Sequence, residues 1–280
     1  MKNILIPTDF STCSNNAIDF AVQTAKRLPV QLTIMHAFEL MGNVYIDYMG
    51  VNREFNDAQL DDVYKRLDEI KNRIKTEHGI EVTAFVENGR VEHSIHKAVK
   101  EKDIDLIIMG TKGAKGIQEK LWGSETGSVI ESSKIPVLTI PQDYTFKEPN
   151  NIVLALNKIE EDVNSLDVLF EITDFFNSHV DVVLFTDEEN GGQAYLEHSR
   201  EIPRFENILK NHYQEETLTV SHLYGQKFDH SLQNFITDNK VDMLAMIKHK
   251  RNFLENLFHS SKTKRMSYHT NIPLLVIPDK

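Results

Sequence analysis

Asp105-Leu106-Ile107-Ile108-Met109-Gly110-Thr111-Lys112-Gly113, then nine further residues and Gly123-Ser124-Glu125-Thr126, is the stretch on which the reading of the fold turns. The apolar run from Ile104 to Met109 has the length and composition of a buried strand. Glycines punctuate the segment after it, and Thr126 to Ser133 reads as a helix. Strand, glycine loop and helix start together hold phosphate groups through backbone N–H donors. Glycine reaches positive φ and lets the main chain approach an anion without a Cβ in the way. A helix start adds unpaired N–H groups and a partial positive charge. The loop is not a Walker A motif, which needs four residues between its first Gly and a Gly-Lys-Ser/Thr. Nor is it a GxGxxG fingerprint, since no glycine pair has that spacing.

The same stretch repeats. Asp105–Pro141 aligns without a gap on Asp242–Pro278, Ile135-Pro136-Val137-Leu138-Thr139-Ile140-Pro141 facing Ile272-Pro273-Leu274-Leu275-Val276-Ile277-Pro278. Asn3-Ile4-Leu5-Ile6-Pro7-Thr8-Asp9 likewise faces Asn151-Ile152-Val153-Leu154-Ala155-Leu156-Asn157. Internal self-similarity of this kind sets the architecture. It predicts two copies of one α/β unit, residues 1–143 and 150–280, joined near Tyr144–Asn150 with Pro149 as punctuation. The length of 280 residues suits two such units.

In the first copy strands are predicted at about 3–7, 31–37, 80–86, 104–109 and 136–140. Helix one is predicted to start near Ser14 as N-cap, with Ala17, Ile18, Ala21, Val22, Ala25 and Leu28 on one face. Helix two carries Leu60, Val63, Tyr64, Leu67, Ile70 and Ile74 at helical spacing. Strands separated by helices imply a parallel sheet covered on both faces. In such a sheet ligands sit beyond the carboxyl ends of the strands, where chain order reverses. Asp9, Ala37 and Gly110 all fall at predicted strand ends of that kind.

Bulk composition narrows the function classes. Hydrophobic residues make up 40% of the chain, enough for packed cores, and the net charge of −11 argues against a nucleic-acid binder or a polybasic membrane-surface protein. Cys13 is the single cysteine, so intramolecular disulfides and cysteine-based zinc sites are excluded. The start Met1-Lys2-Asn3-Ile4-Leu5-Ile6-Pro7 lacks the apolar core of a secretory signal, and no run of about 18 apolar residues exists. The expectation is a cytoplasmic protein.

Gly110, Gly113, Gly123 and Ser124 at this spacing, with Ile4-Leu5-Ile6-Pro7-Thr8-Asp9-Phe10-Ser11 at the amino terminus, resemble the universal stress protein family. The resemblance is strong over the first copy and weak over the second. It implies a tandem pair of five-stranded, parallel, Rossmann-like domains of the adenine nucleotide alpha-hydrolase-like type. It also implies self-association through the final strand, within one chain or between chains as a homodimer, and in many members ATP with accompanying Mg²⁺. Asp9, after Pro7 and Thr8, falls where the family's aspartate meets the adenosine; the alternative is a helix cap or Asx turn. Ala37, after His36, falls where family backbone lies against adenine. Met109, Gly110, Lys112, Gly113, Gly123, Ser124, Glu125 and Thr126 would line the phosphates, the Glu125 side chain turning to solvent or helping to hold the cation. Without a ligand the same segment is an ordinary turn and helix cap.

Other residues have plainer readings. Lys115 and Lys112 are loop lysines. Gly89 is read as conformational, turning the chain into a helix that begins near Val91. His93 and His96 lie one helical turn apart without an evident third ligand, which favours a solvated face over metal. Trp122 is read as packed or at an interface.

The second copy departs from the pattern. Gly110, Gly113 and Gly123 face Ile247, Lys250 and Ser260, Asp9 faces Asn157, while Ser261 and Thr263 still face Ser124 and Thr126. Side chains at the glycine positions predict a degenerate domain that supplies an interface. The alternative is a different anion site built on Lys250, Arg251, Ser261 and Lys262, within a segment from 248 to 265 that has six Lys and Arg against one acid. The functional expectation is an ATP-binding stress-response sensor or regulatory module. A slow ATP hydrolase or phosphotransferase, or a nucleotide-free scaffold, are the alternatives.

Overall fold

The computed structural model describes residues 1–39, 51–111, 123–160, 162–188, 191–214, 218–226, 228–249 and 271–279. In the first half, strands β1 (Asn3–Pro7), β2 (Gln31–Phe38), β3 (Val82–Asn88), β4 (Leu106–Gly110) and β5 (Val137–Ile140) alternate with helices α1 (Thr12–Ala25), α2 (Val51–His78), α3 (Val91–Glu101) and α4 (Ser124–Ser132). In the second half, β6 (Asn151–Leu156), β7 (His179–Asp187), β8 (Thr219–Gly225), β9 (Met243–Lys248) and β10 (Leu274–Pro278) accompany α5 (Asp167–Phe176), α6 (Gly191–Tyr213) and α7 (Phe228–Asp238). All ten strands form one sheet in the order β3-β2-β1-β4-β5-β10-β9-β6-β7-β8.

Every neighbouring pair is parallel except β5 with β10. Leu138 lies opposite Leu275, Val137 opposite Val276 and Thr139 opposite Leu274. Leu138 and Leu275 are equivalent residues of the repeat, so a local twofold passes through that pair. The final strands therefore join within the chain. This is the isologous contact of a symmetric dimer, made between the halves of one polypeptide.

The repeat also explains how each half begins. Asp105 Oδ2 accepts the backbone N–H groups of Lys2 and Asn3 at 2.6 and 2.9 Å. Its counterpart Asp242 accepts those of Asn150 and Asn151 at 3.0 and 3.1 Å. A carboxylate before the fourth strand of each half thus fixes the register of the first.

One face of the sheet packs on α1 and α2, through Ala17, Ile18, Val63 and Leu67, and on α5 and α6 in the other half. The opposite face packs on α3, α4 and α7, through Ile95, Ala98, Val129, Ile130, Leu232 and Ile236. Alternate strand residues point to opposite faces, so Ile4 and Ile6 serve one core and Leu5 the other. Helix two keeps Val63, Leu67 and Ile74 buried as expected, but Tyr64 is 51% exposed. It lies at the edge of the apolar stripe, where a phenol hydroxyl stays in water.

Helix one is capped one turn earlier than its sequence suggests. Ser11, not Ser14, is the N-cap, its side chain accepting from Ser14 N. Ser14 is buried, and its hydroxyl bonds Ser11 O at 3.0 Å and Thr8 Oγ1 at 3.1 Å. The connector between the halves is packed as well. The Phe146 ring lies 5.2 Å from Phe20 and 6.5 Å from Phe176, Ser178 donates to Pro149 O, and Arg27 pairs with Glu148.

Candidate functional site

The order β3-β2-β1-β4-β5 reverses at β1 and β4, so a crevice opens beyond their carboxyl ends. From β1 come Pro7 and Thr8, both buried, and exposed Asp9. Asp9 Oδ1 accepts from Ser11 N at 3.0 Å, an Asx turn that starts α1. Phe10 has a positive φ of 62°, which only a turn held on both sides sustains outside glycine. Thr8 Oγ1 holds its N–H at 3.0 Å. The Phe10 ring stacks on His36 at 4.7 Å, and the Arg66 guanidinium lies 4.1 Å from the ring centroid. His36 Nδ1–H donates to Thr8 O at 2.8 Å. Burial holds the His36 pKa below its ordinary value against that hydrogen bond, so the neutral imidazole is favoured.

Strand β2 outruns β1. The β1–β2 register ends at Pro7 opposite Met35, whereas β2 continues to Phe38 against β3. Gln31 N donates to Lys2 O and Thr8 N donates to Met35 O, whereas Phe38 O accepts from Gly89 N on the other side. Odd residues of β2 therefore address β1, and even ones β3. By this alternation the N–H and C=O of Ala37 point past the end of β1, into the crevice. No periodicity in the sequence distinguishes this alanine from any other strand alanine; the register does.

Strand β4 brings Met109, Gly110 and Thr111, all buried. A Cβ on Gly110 would meet the Cys13 carbonyl oxygen at 2.8 Å and its carbonyl carbon at 2.9 Å. Gly110 is thus required by the first turn of α1, which packs against the strand end. Neither Gly110 nor Gly123 uses positive φ; Gly123 is the extended N-cap of α4 at φ −64°. Gly123 N donates to Thr111 O at 2.7 Å and Thr126 Oγ1 donates to Gly110 O at 2.9 Å, so strand end and helix start are stitched together. Ser124 and Glu125 are exposed at that helix start, with no side chain capping it. Lys112, Gly113, Lys115 and Trp122 lie outside the described residues.

At the neighbouring helix, Gly89 has φ 131°, a conformation that favours glycine, in keeping with a turn into α3. His96 departs from the solvated-face reading: its Nε2 lies 2.9 Å from Ser132 Oγ and ties α3 to α4. His93 is exposed.

The profile of the Universal stress protein family matches residues 1–141, which is the half that holds this crevice. The chain belongs to the universal stress protein family. Universal stress protein YxiE of Bacillus subtilis (strain 168) is 30% identical over 147 residues, covering 50% of this chain and 98% of its own. Universal stress protein A homolog 2 of Coxiella burnetii (strain RSA 493 / Nine Mile phase I) is 31% identical over 146 residues, covering 50% and 94%. A universal stress protein of Archaeoglobus fulgidus DSM 4304 is similar in structure over 99% of this chain and 98% of its own, with a TM-score of 0.74 at 14% identity. That likeness shows that the fold runs through both halves.

Within this universal stress protein the described strand ends of the second half differ from those of the first. Ile247, only 4% exposed, stands at the Gly110 position, and α5 begins only at Asp167, after a 3-10 turn at Val163–Leu166. The helix start has withdrawn from the strand end that now bears a side chain. Phe185, 7% exposed, stands at the Ala37 position and meets Phe228 edge-on at 5.1 Å. The second half thus carries a ring packed on α7 where the first half carries a methyl group. Lys248, at the Thr111 position, sends its Nζ across the seam to Ile130 O, Glu131 O and Ser133 O, each at 2.9 Å. It caps the carboxyl end of α4, where a cation complements the helix dipole. Lys250, Arg251, Ser261 and Lys262 lie outside the described residues.

Proposed function

We propose that the crevice of the first half binds an adenine nucleotide, ATP with Mg²⁺, and that its occupancy is the signal of a stress-response regulatory module. The observation that carries this reading is the overhang of β2. Ala37 offers a backbone donor and acceptor side by side beyond the end of β1, with no bulk on the residue, which suits the edge of a purine. Asp9 is exposed at the adjoining strand end to accept hydrogen bonds from the adenosine. Ser124, Glu125 and Thr126 would turn the backbone N–H groups of the α4 start on the phosphates, with Gly110 and Gly123 letting strand end and helix start approach them and Lys112 and Gly113 completing the loop. Bound Mg²⁺ would neutralise phosphate charge there.

The fit of these residues to a nucleotide is electrostatic: the helix start of α4 has no competing side-chain cap. The test is thermal unfolding with Mg²⁺ and ATP at about 100 times the dissociation constant, which adds roughly 2.7 kcal/mol to the occupied state. A clear rise in Tm, with adenine nucleotide released on denaturing the purified protein, is expected. The absence of both the rise and a released nucleotide would overturn the reading. No helix among the described residues is long and apolar enough to cross a membrane.

A further inference from the structure

At the strand ends of the second half stands a cluster that no part of the nucleotide reading uses. Glu160 follows β6, His249 follows β9 and Asp279 follows β10, so three strand ends converge on it. One ligand atom from each residue lies within 4.8 Å of the other two. His249 Nδ1 and Asp279 Oδ2 are hydrogen bonded at 3.1 Å. Because the carboxylate accepts, Nδ1 carries the proton and Nε2 is left with a lone pair in the neutral ring.

Glu160 supplies the second, independent observation. It is 8% exposed, and its Oε1 is buried with no hydrogen-bond partner. His249 Nε2 lies 3.0 Å away, close enough for an ion pair but off the direction in which an N–H would donate. Without an ion, the charge that faces this buried oxygen is that of the His249 ring itself, which the Glu160 contact biases toward its charged form; a bound cation would take the place of that proton. Lys248, next to His249 in sequence, does not serve this oxygen, because its Nζ is spent on the three carbonyls at the end of α4, while the charge of Lys158 acts on the His249 ring. Two donors of a single metal ion at roughly 2.0–2.1 Å each stand about 3.0–3.4 Å apart. The spacing of Oε1 and Nε2 falls in that range.

We propose that Glu160 Oε1 and His249 Nε2 are the protein ligands of a divalent transition-metal ion, with Asp279 orienting the imidazole through Nδ1–H. The donor set decides the class of ion. One imidazole nitrogen with one carboxylate suits a borderline cation such as Zn²⁺, whereas Mg²⁺ and Ca²⁺ favour all-oxygen shells. Water fills the remaining positions. The carboxylate–imidazole–metal arrangement is the usual way in which an outer carboxylate fixes the ring and raises its basicity. The site is separate from the first-half crevice and does not depend on nucleotide.

The experiment uses the full chain, stripped with a chelator and titrated calorimetrically with Zn²⁺, with Mg²⁺ as control. Wild type is expected to take up one Zn²⁺ saturably at this site, Glu160→Gln to lose at least tenfold in affinity, and Asp279→Asn to lose roughly 10- to 100-fold. X-ray absorption of the Zn²⁺ complex should show imidazole scattering that His249→Gln removes. Asp279 is exposed enough that its variant folds even if Glu160→Gln does not. No Zn²⁺ uptake by wild type overturns the proposal. So does uptake that is identical in Glu160→Gln and Asp279→Asn, since the ion would then sit elsewhere.

Discussion

Leu138 and Leu275 lie directly opposite each other across the antiparallel β5–β10 seam, and they occupy the same position of the sequence repeat. Both are buried to 1% or less in one core that spans the two halves. Leu275→Ala removes a fully buried side chain and is expected to cost about 2–5 kcal/mol. Urea denaturation should show it. Adding Leu138→Ala should give a non-additive loss, because the two leucines share one contact.

Gly110→Ala tests whether the glycine serves the helix start. A methyl group there would press on the Cys13 main chain at 2.8–2.9 Å, a contact that no side-chain rotation relieves. The variant is expected to lose about 1–3 kcal/mol in the absence of any ligand, measured by chemical denaturation. A variant as stable as wild type would remove the steric account.

Ala37→Phe copies into the first half the residue that stands at the equivalent position in the second. It is expected to abolish the Tm rise given by ATP and Mg²⁺, while circular dichroism shows an intact fold. Retention of the rise would move the base away from the β2 overhang.

Lys248→Met keeps the length of the stem and deletes the ammonium that caps α4. Hydrogen bonds from a charged donor contribute roughly 1.5–3 kcal/mol; Lys248 is partly exposed, and burial already lowers its pKa, so a loss of about 1 kcal/mol is expected. Hydrogen exchange at Ile130 to Ser133 should speed up, whereas β1 and β6 should stay protected.

His222 gives the pH dependence. Its Nε2 lies 2.7 Å and its Nδ1 3.1 Å from the hydroxyls of Thr186 and Ser199. Burial, then repulsion from His198, lowers its pKa from the ordinary value near 6.5. His36 is lowered in the same direction, again chiefly by burial. Between the unfolded value and the lower folded one, the unfolded chain holds the proton, so acid favours unfolding. Stability is expected to be full above pH ~6.5 and to fall as the pH drops through the folded values. His222→Gln should flatten the profile of Tm against pH.

Much of the fold was legible because its signals are local and repeated. Asp105 and Asp242, the two Ile-Pro strands and the Asn3 and Asn151 starts each predict a strand end, and the family resemblance named the α/β class. The pairing of β5 with β10 was not legible: an apolar final strand demands a partner but does not say whether it lies on the same chain. The helix cap expected at Ser14 lies at Ser11, because the turn through Phe10 at positive φ starts the helix earlier. Ala37 and Phe185 become meaningful only once the strand registers place them at one position. Glu160, His249 and Asp279 stand on three segments far apart in sequence, and only the convergence of the strand ends brings them together.

The seam formed by the two final strands has a further consequence for stoichiometry. Because the partner is tethered, its effective concentration does not fall when the protein is diluted, and the pair persists at any cellular abundance. A copy retained as a permanent mate needs no ligand of its own to be kept. That leaves the second half free to carry Ile247 and Phe185 at the positions of Gly110 and Ala37 without losing its mate.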